Sequence, residues 1–332
     1  MIDVAACQLT TTYYPCSHET FWARHADALS DATQVPRRAC KWMANKTVVN
    51  FTLAWLDIVQ RRKQGPVTEW SVDVFSYFSI TNSCSPVVRR MPIEPLISFL
   101  RHPFYICYNR WSMMLNKNYM LPLWRTEIPV SRNSRGSLRL FFDLGASLYG
   151  GERGSSQPSS QSYFLAEYSK RGIDFDRILA WEAINSTDAE IRRGMPPRLK
   201  RGLNIFREPP LGFDIESATT LSYFNYPVSA EPGSASNPLT LLGSAASVFD
   251  FVVIKLDIDA PLIERALVQQ ILTTPAISDL IDEIYWEHHV LRSPMMHQGW
   301  QYMVPQPAET LQDSHRIFGE LRQLGIRAHS WV

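Results

Sequence analysis

The chain has 332 residues, 45% hydrophobic and 20% charged, the composition of a globular protein long enough for one large or two modest domains. Its 33 lysines and arginines balance 32 aspartates and glutamates, so no basic field points to nucleic acid or an anionic membrane surface. The longest apolar stretch, 48–59, is interrupted by Asn50, Thr52 and Asp57 and is too short to span a bilayer.

Residues 1–16 include Asp3 and no lysine or arginine, so they do not read as a signal peptide, and a cytoplasmic location is expected. The five cysteines (Cys7, Cys16, Cys40, Cys84 and Cys107) lack paired C-x-x-C spacing, which argues for free thiols in a reducing compartment. Asn45 and Asn50 head glycosylation sequons that matter only in the secretory pathway. Helical patterns fall at 19–32, at 37–62 before Gly65-Pro66, and at 93–101 before His102-Pro103. Residues 1–135 therefore read as a largely helical, aromatic-rich extension, and 131–136 as a polar linker.

From residue 136 to 332 the texture changes to alternating strands and helices. The run 138–144 is continuously apolar, as a buried parallel strand reads, and ends in Asp143-Leu-Gly145. A Gly/Ser-rich stretch, 150–160, leads to a helix with Phe164, Leu165 and Tyr168 on one side, closed by Gly172. A second strand is expected at 177–183, then a polar helical stretch centred on Pro196-Pro197, then a third strand at 220–225. After the loop 226–237 come a short helix at 239–246 and the strongest strand signal, 251–258. Pro261 sits where a helix begins, with Leu262, Ile263, Ala266, Leu267 and Ile271 on one face. A fifth strand, 281–288, an amphipathic helix, 309–324, closed by Gly325, and a last strand, 327–332, complete the pattern. Such alternation predicts an α/β fold of the Rossmann-like, doubly wound kind, with a mostly parallel sheet. Ligands of such sheets bind at the carboxyl ends of the strands, beside the first strand. Asp143, Glu182, Asp257, Asp259, Glu287, His288 and His289 all fall at those ends.

The stretch from Asp143 through Gly145, Ala146 and Ser147 to Gly150 resembles the first motif of class I S-adenosylmethionine-dependent methyltransferases, an acid followed by a Gly-rich turn. The stretch 250–259, with Lys255, Asp257 and Asp259, resembles the Lys-hydrophobic-Asp-hydrophobic-acid signature of FkbM-type methyltransferases and related eukaryotic proteins, and 281–289 and 321–332 look like the same group's last strands. The resemblance covers about residues 138–332 and departs at Asp259-Ala260, where the family has acid-Gly, and at Ser147, where many members have glycine. It implies S-adenosyl-L-methionine as cofactor. Gly145 and Ala146, with the backbone N–H groups of the turn, would meet its methionine part. Asp143 would face the ammonium, Glu182 would accept from the ribose hydroxyls, and Val228 and Ser229 would lie against the adenine.

Methyl transfer to oxygen needs positioning and a base. The candidates are His289 and His288 with Glu287, of which His289 is preferred because adjacent strand residues face opposite ways. Asp257 and Asp259, two apart, would orient the acceptor, a small or carbohydrate-like molecule. A packed histidine and a hydrogen-bonded strand end are the structural alternatives. No metal site is assigned, since His288, His289, His297 and His315 have the wrong spacing for zinc. Two rivals remain: a non-catalytic protein that keeps the fold for binding, and a serine hydrolase using Ser147, Asp257 and His289. The hydrolase lacks the glycine that a nucleophile elbow requires two residues after the serine.

Overall fold

The computed structural model describes residues 9–25, 41, 46–61, 69–83, 85–97, 100, 116–129, 136–151, 159–210, 213, 220–291 and 309–331. Cys7, Cys40, Cys84, Cys107, Asn45, His297 and most of the expected linker lie outside these residues, whereas Cys16 is buried. Among the described residues no helix is long and apolar enough to cross a membrane. The chain forms two compact units, one of Pro122–Trp286 and one of Met1–Leu121 with Glu287–Val332. The expected boundary at 135/136 thus stands beside a unit that starts at Pro122, and the last 46 residues go with the N-terminal part.

In the unit Pro122–Trp286 the centre is β4, Arg139–Leu144, whose residues from Leu140 to Leu144 are all buried. A strand paired on both edges and covered on both faces has no solvent side, so its apolar residues run on instead of alternating. β4 pairs in parallel with β5 (Arg177–Trp181) on one edge and β8 (Phe251–Leu256) on the other, setting Asp143 opposite Ala180 and Lys255. Outward from β5 come β7 (Leu221–Phe224) and then β6 (Leu203–Phe206); outward from β8 comes β9 (Glu283–Trp286). Six of the seven strands of the larger sheet belong to this unit, and all their pairings are parallel. The architecture is α/β and compatible with a Rossmann-like arrangement. The chain leaves β4 towards β5 and later returns to its other edge as β8, which puts the topological switch point at the end of β4.

Stacked aromatics bind neighbouring strands together. Phe142, Trp181, Phe224 and Phe206, one from each of β4, β5, β7 and β6, stack in sequence with ring centres 5.9, 4.4 and 5.0 Å apart. Phe141, Phe164, Tyr168 and Phe175 form a second group around α3 (Ser160–Ser169), which begins at the side-chain cap of Ser159. Three expectations need correction here. The polar stretch around Pro196-Pro197 is two short helices, α4 (Asp188–Arg192) and α5 (Pro197–Arg201), because Gly194 at φ 75° and a proline pair stop one and start the other. The strand β6 that follows adds to the expected strands; with three half-covered residues and an exposed Asn204 it is an edge strand with little apolar signal. After α6 (Pro238–Ala245), helix α7 (Pro261–Thr273) buries Glu264, Leu267, Val268 and Ile271, while Leu262 and Ala266 are exposed.

The other unit contains a three-stranded antiparallel sheet, β1 (Leu9–Tyr14), β2 (Ser76–Asn82) and β3 (Ser85–Ile93), with helices α1 (Ser17–His25) and α2 (Lys46–Arg61). The N-terminal region is therefore not all helix. The helix expected at 93–101 starts in β3, and 94–97 is irregular. After the four-residue helix α8 (Pro275–Ser278) of the first unit, the chain returns here as α9 (Leu311–Gln323) and β10 (Arg327–Ser330). Helix α9 opens with a reciprocal Thr310/Asp313 cap and ends at Gly325, φ 90°.

Candidate functional site

The site grows from the end of β4. Leaving Leu144, the chain turns through Gly145 at φ 80°, a conformation that costs glycine nothing. Space demands glycine as well: a Cβ there would lie 1.7 Å from the carbonyl oxygen of Asp257 at the end of β8. Gly145 and Ala146 both donate their N–H to the Trp181 carbonyl on β5, at 3.0 and 2.8 Å. Ser147, at φ 47° where glycine is normally favoured, donates its N–H to Glu182 at 2.9 Å, and its carbonyl accepts from the Tyr223 hydroxyl. The first three amides of the turn are thus committed within the protein. Those of Leu148, Tyr149 and Gly150 carry no hydrogen bond to a described residue. Gly150 lies close to backbone, its absent Cβ 3.1 Å from the Arg193 carbonyl.

Among the described residues, four carboxylates and one ammonium converge at these strand ends. Asp143 is fully buried on β4, accepts from Ser160 Oγ, and has Lys255 Nζ 3.7 Å away. Burial pushes its pKa up to about 6, against the pull of Lys255, and the charges of Asp257 and Glu182 push the same way as burial. Lys255 is 1% exposed. Its ammonium donates to the carbonyls of Leu144, Gly145 and Asp257 at 3.3, 2.6 and 3.1 Å, and pairs with the Asp257 carboxylate at 3.1 Å. Glu264, buried at the start of α7, accepts from the Ile258 amide and from the Trp286 indole. Burial and the neighbouring Asp257 charge raise its pKa to about 7. Glu182 is half-buried at the end of β5, and its two oxygens accept from Ser147 and Ile184.

The remaining expected residues are placed as follows. Asp259 is exposed, at φ 53°. Val228 is buried and Ser229 half-buried in the loop after β7, where Ser229 donates its N–H to Ser236. Glu287, His288 and His289 belong to the other unit. There the His288 ring contacts Ser314 Oγ at 3.0 Å and Glu309 at 2.8 Å, so both nitrogens are engaged, and buried His289 lies 3.7 Å from Glu287. Residues 122–286 contain no histidine. The structure brings together Asp143, Gly145, Ala146, Ser147, Glu182 and Asp257, and adds two residues to which the sequence reading gave no role, Lys255 and Glu264. Lys255 had a legible signal, since lysine inside an otherwise apolar buried strand needs an anionic or carbonyl partner. Glu264 had none, for an acid in the first turn of a helix is the ordinary solvent-facing arrangement.

No family model, no curated protein and no solved structure matches this chain.

Proposed function

We propose that the unit Pro122–Trp286 binds S-adenosylmethionine at the ends of β4, β5 and β8, and that the protein is a methyltransferase acting on oxygen in a small or carbohydrate-like acceptor. The observation that carries this reading is the carboxylate cluster: among the described residues Asp143, Glu182, Asp257 and Glu264 gather around the ammonium of Lys255. A dinucleotide would bring the two negative charges of a pyrophosphate among these carboxylates, an arrangement opposed by like-charge repulsion. A ligand bearing sulfonium and ammonium charges and ribose hydroxyls matches that field.

Glu182 retains lone pairs beyond the two amides it accepts from, and a carboxylate takes hydroxyl donors well. The amides of Leu148, Tyr149 and Gly150 remain to meet a carboxylate group. When bound, the cofactor supplies an electrophilic methyl group for direct displacement by the acceptor oxygen. The chain's part is to hold the partners in line; Asp257, whose carboxylate is partly exposed, would orient the acceptor hydroxyl and accept its proton as the oxygen is methylated. Tyr149 stands where a nucleophile elbow requires glycine two residues after Ser147, which counts against the hydrolase reading.

Thermal unfolding and calorimetry with the full chain test the proposal. S-adenosylmethionine or its demethylated product should raise Tm, and NAD should not. Glu182→Ala should weaken cofactor affinity by about 1–3 kcal/mol, the usual loss of a charged hydrogen-bonding partner. Glu182→Gln, which keeps one acceptor and the side-chain shape, should lie between. A melting curve unmoved by saturating cofactor but shifted by NAD would overturn the reading. Tight cofactor binding without transfer to any hydroxylated acceptor would leave a binding protein on the same site.

A further inference from the structure

Lys255 has a feature that its place in a strand does not explain. Its side chain reaches past the strand end and joins two loops. One is the turn after β4, whose Leu144 and Gly145 carbonyls it holds, and the other is the segment after β8, where it holds both the carbonyl and the carboxylate of Asp257. A second set of bonds runs beside it: Asp257 donates its N–H to the Leu144 carbonyl, and Glu264 fixes the Ile258 amide. The ammonium's three protons are met by three carbonyls, and its charge lies between Asp143 and Asp257.

We propose that Lys255 is a positioning residue for the cofactor site: its ammonium clamps the turn 144–147 to the segment 257–260 and sets its charge between the carboxylates of Asp143 and Asp257. The inference rests on the methyltransferase reading for its ligand, though the clamp itself is a property of the protein alone. Two consequences follow from the clamp. Without the ammonium the carbonyls of Gly145 and Asp257 lose their shared donor, and both segments open together. Without its charge, Asp143 and Asp257 face each other, with Glu182 and Glu264 adding to the repulsion. Asp143 then takes up its proton at a higher pH, and the negative field that selects a cationic ligand fades.

Lys255→Met and Lys255→Arg in the full chain separate geometry from charge. Amide hydrogen exchange followed by mass spectrometry should rise about tenfold or more in Lys255→Met across 144–147 and 257–260 together, with 177–181 and 221–224 unchanged. Calorimetry with S-adenosylhomocysteine from pH 5.5 to 8.5 should show binding weakened about tenfold at pH 7 and recovering towards pH 8.5. Arginine keeps the charge but is too broad for the ammonium's place. That variant should therefore loosen both segments while holding the wild-type pH midpoint. A merely structural lysine would weaken binding equally at every pH, with arginine no different from methionine, and that result overturns the positioning role. Unchanged exchange in both segments overturns the clamp. Should Lys255→Met not fold, the arginine variant's exchange decides the clamp and its pH midpoint the charge role. If wild type binds no S-adenosylhomocysteine, the methyltransferase reading and the ligand-positioning role fall together, and exchange still decides the clamp.

Discussion

Gly145 shows how one residue answers two demands at once. Its φ of 80° and its approach to the Asp257 carbonyl would exclude any side chain, with or without a ligand. Substituting it disrupts the join between β4 and β8, so Gly145 is a poor probe of cofactor binding. Glu264 gives a cleaner residue-scale prediction. Its pKa stands near 7, against about 4.5 for an unhindered glutamate, because burial and Asp257 oppose its charge. Below about pH 4.5 it is protonated in both states and costs nothing. As pH rises to 7 the unfolded chain ionises first, so stability falls, on the order of 3 kcal/mol for a shift of this size. Asp143, near 6, adds a fall of the same sign at slightly lower pH. Glu264→Gln should flatten the decline in urea midpoint between pH 5 and 8, leaving only the Asp143 part. Parallel profiles for the two proteins would disprove this assignment.

At the scale of elements, helix α9 was readable almost whole. Its apolar period and Gly325 give its place within a residue or two of the observed Leu311–Gln323. What the helix does with Arg322 was not readable, because a basic residue in a last turn ordinarily faces water and the helix dipole. Here Arg322 is fully buried. Its guanidinium bonds Glu19 Oε2, the Tyr13 hydroxyl and the Glu94 and Ala328 carbonyls, and Glu94, in turn, contacts His329 at 2.6 Å. Removing one member of such a network leaves the others buried without compensation. Arg322→Met should therefore cost about 3–5 kcal/mol in chemical unfolding, and a loss under about 1 kcal/mol would show that the network is not buried as described. Helix α7 shows the same limit. The spacing of Leu262, Ile263, Ala266, Leu267 and Ile271 marked a face, of which Leu267 and Ile271 are buried, but the buried face also takes in Glu264 and Val268 while Leu262 and Ala266 are exposed. Burying Glu264 requires the Ile258 amide and Trp286 indole, which periodicity does not contain.

For the whole molecule the main finding is that the C-terminal segment from Glu287 joins the unit begun by the N-terminal residues. A fragment of residues 131–332 would keep α9 and β10 but lose Tyr13, Glu19 and Glu94, taking from Arg322 these partners while the Ala328 carbonyl stays, and from Arg327 the Pro92 and Leu121 carbonyls. Limited proteolysis of that fragment should cut within 287–332 far faster than in the full chain, while 136–286 stays protected. Equal resistance of 287–332 in both proteins would show that this segment folds without the N-terminal part.

The sequence by itself determined the parallel strands β4, β5, β7, β8 and β9 and helices α3, α7 and α9, because burial leaves a local record: continuous apolar runs, a 3.6-residue period, caps and terminal glycines. It also placed acids at the strand ends. It missed the antiparallel sheet of β1, β2 and β3, where Ser, Thr and two prolines blur the alternation. Only the tertiary structure decided which polar groups meet. Lys255 reaches Gly145 across 110 positions, and Arg322 reaches Glu19 across 303. Such encounters are fixed by strand order and by which edge of β4 receives the returning chain. A buried charge is stable only where that long-range geometry supplies its partner, and no local pattern records the partner's address.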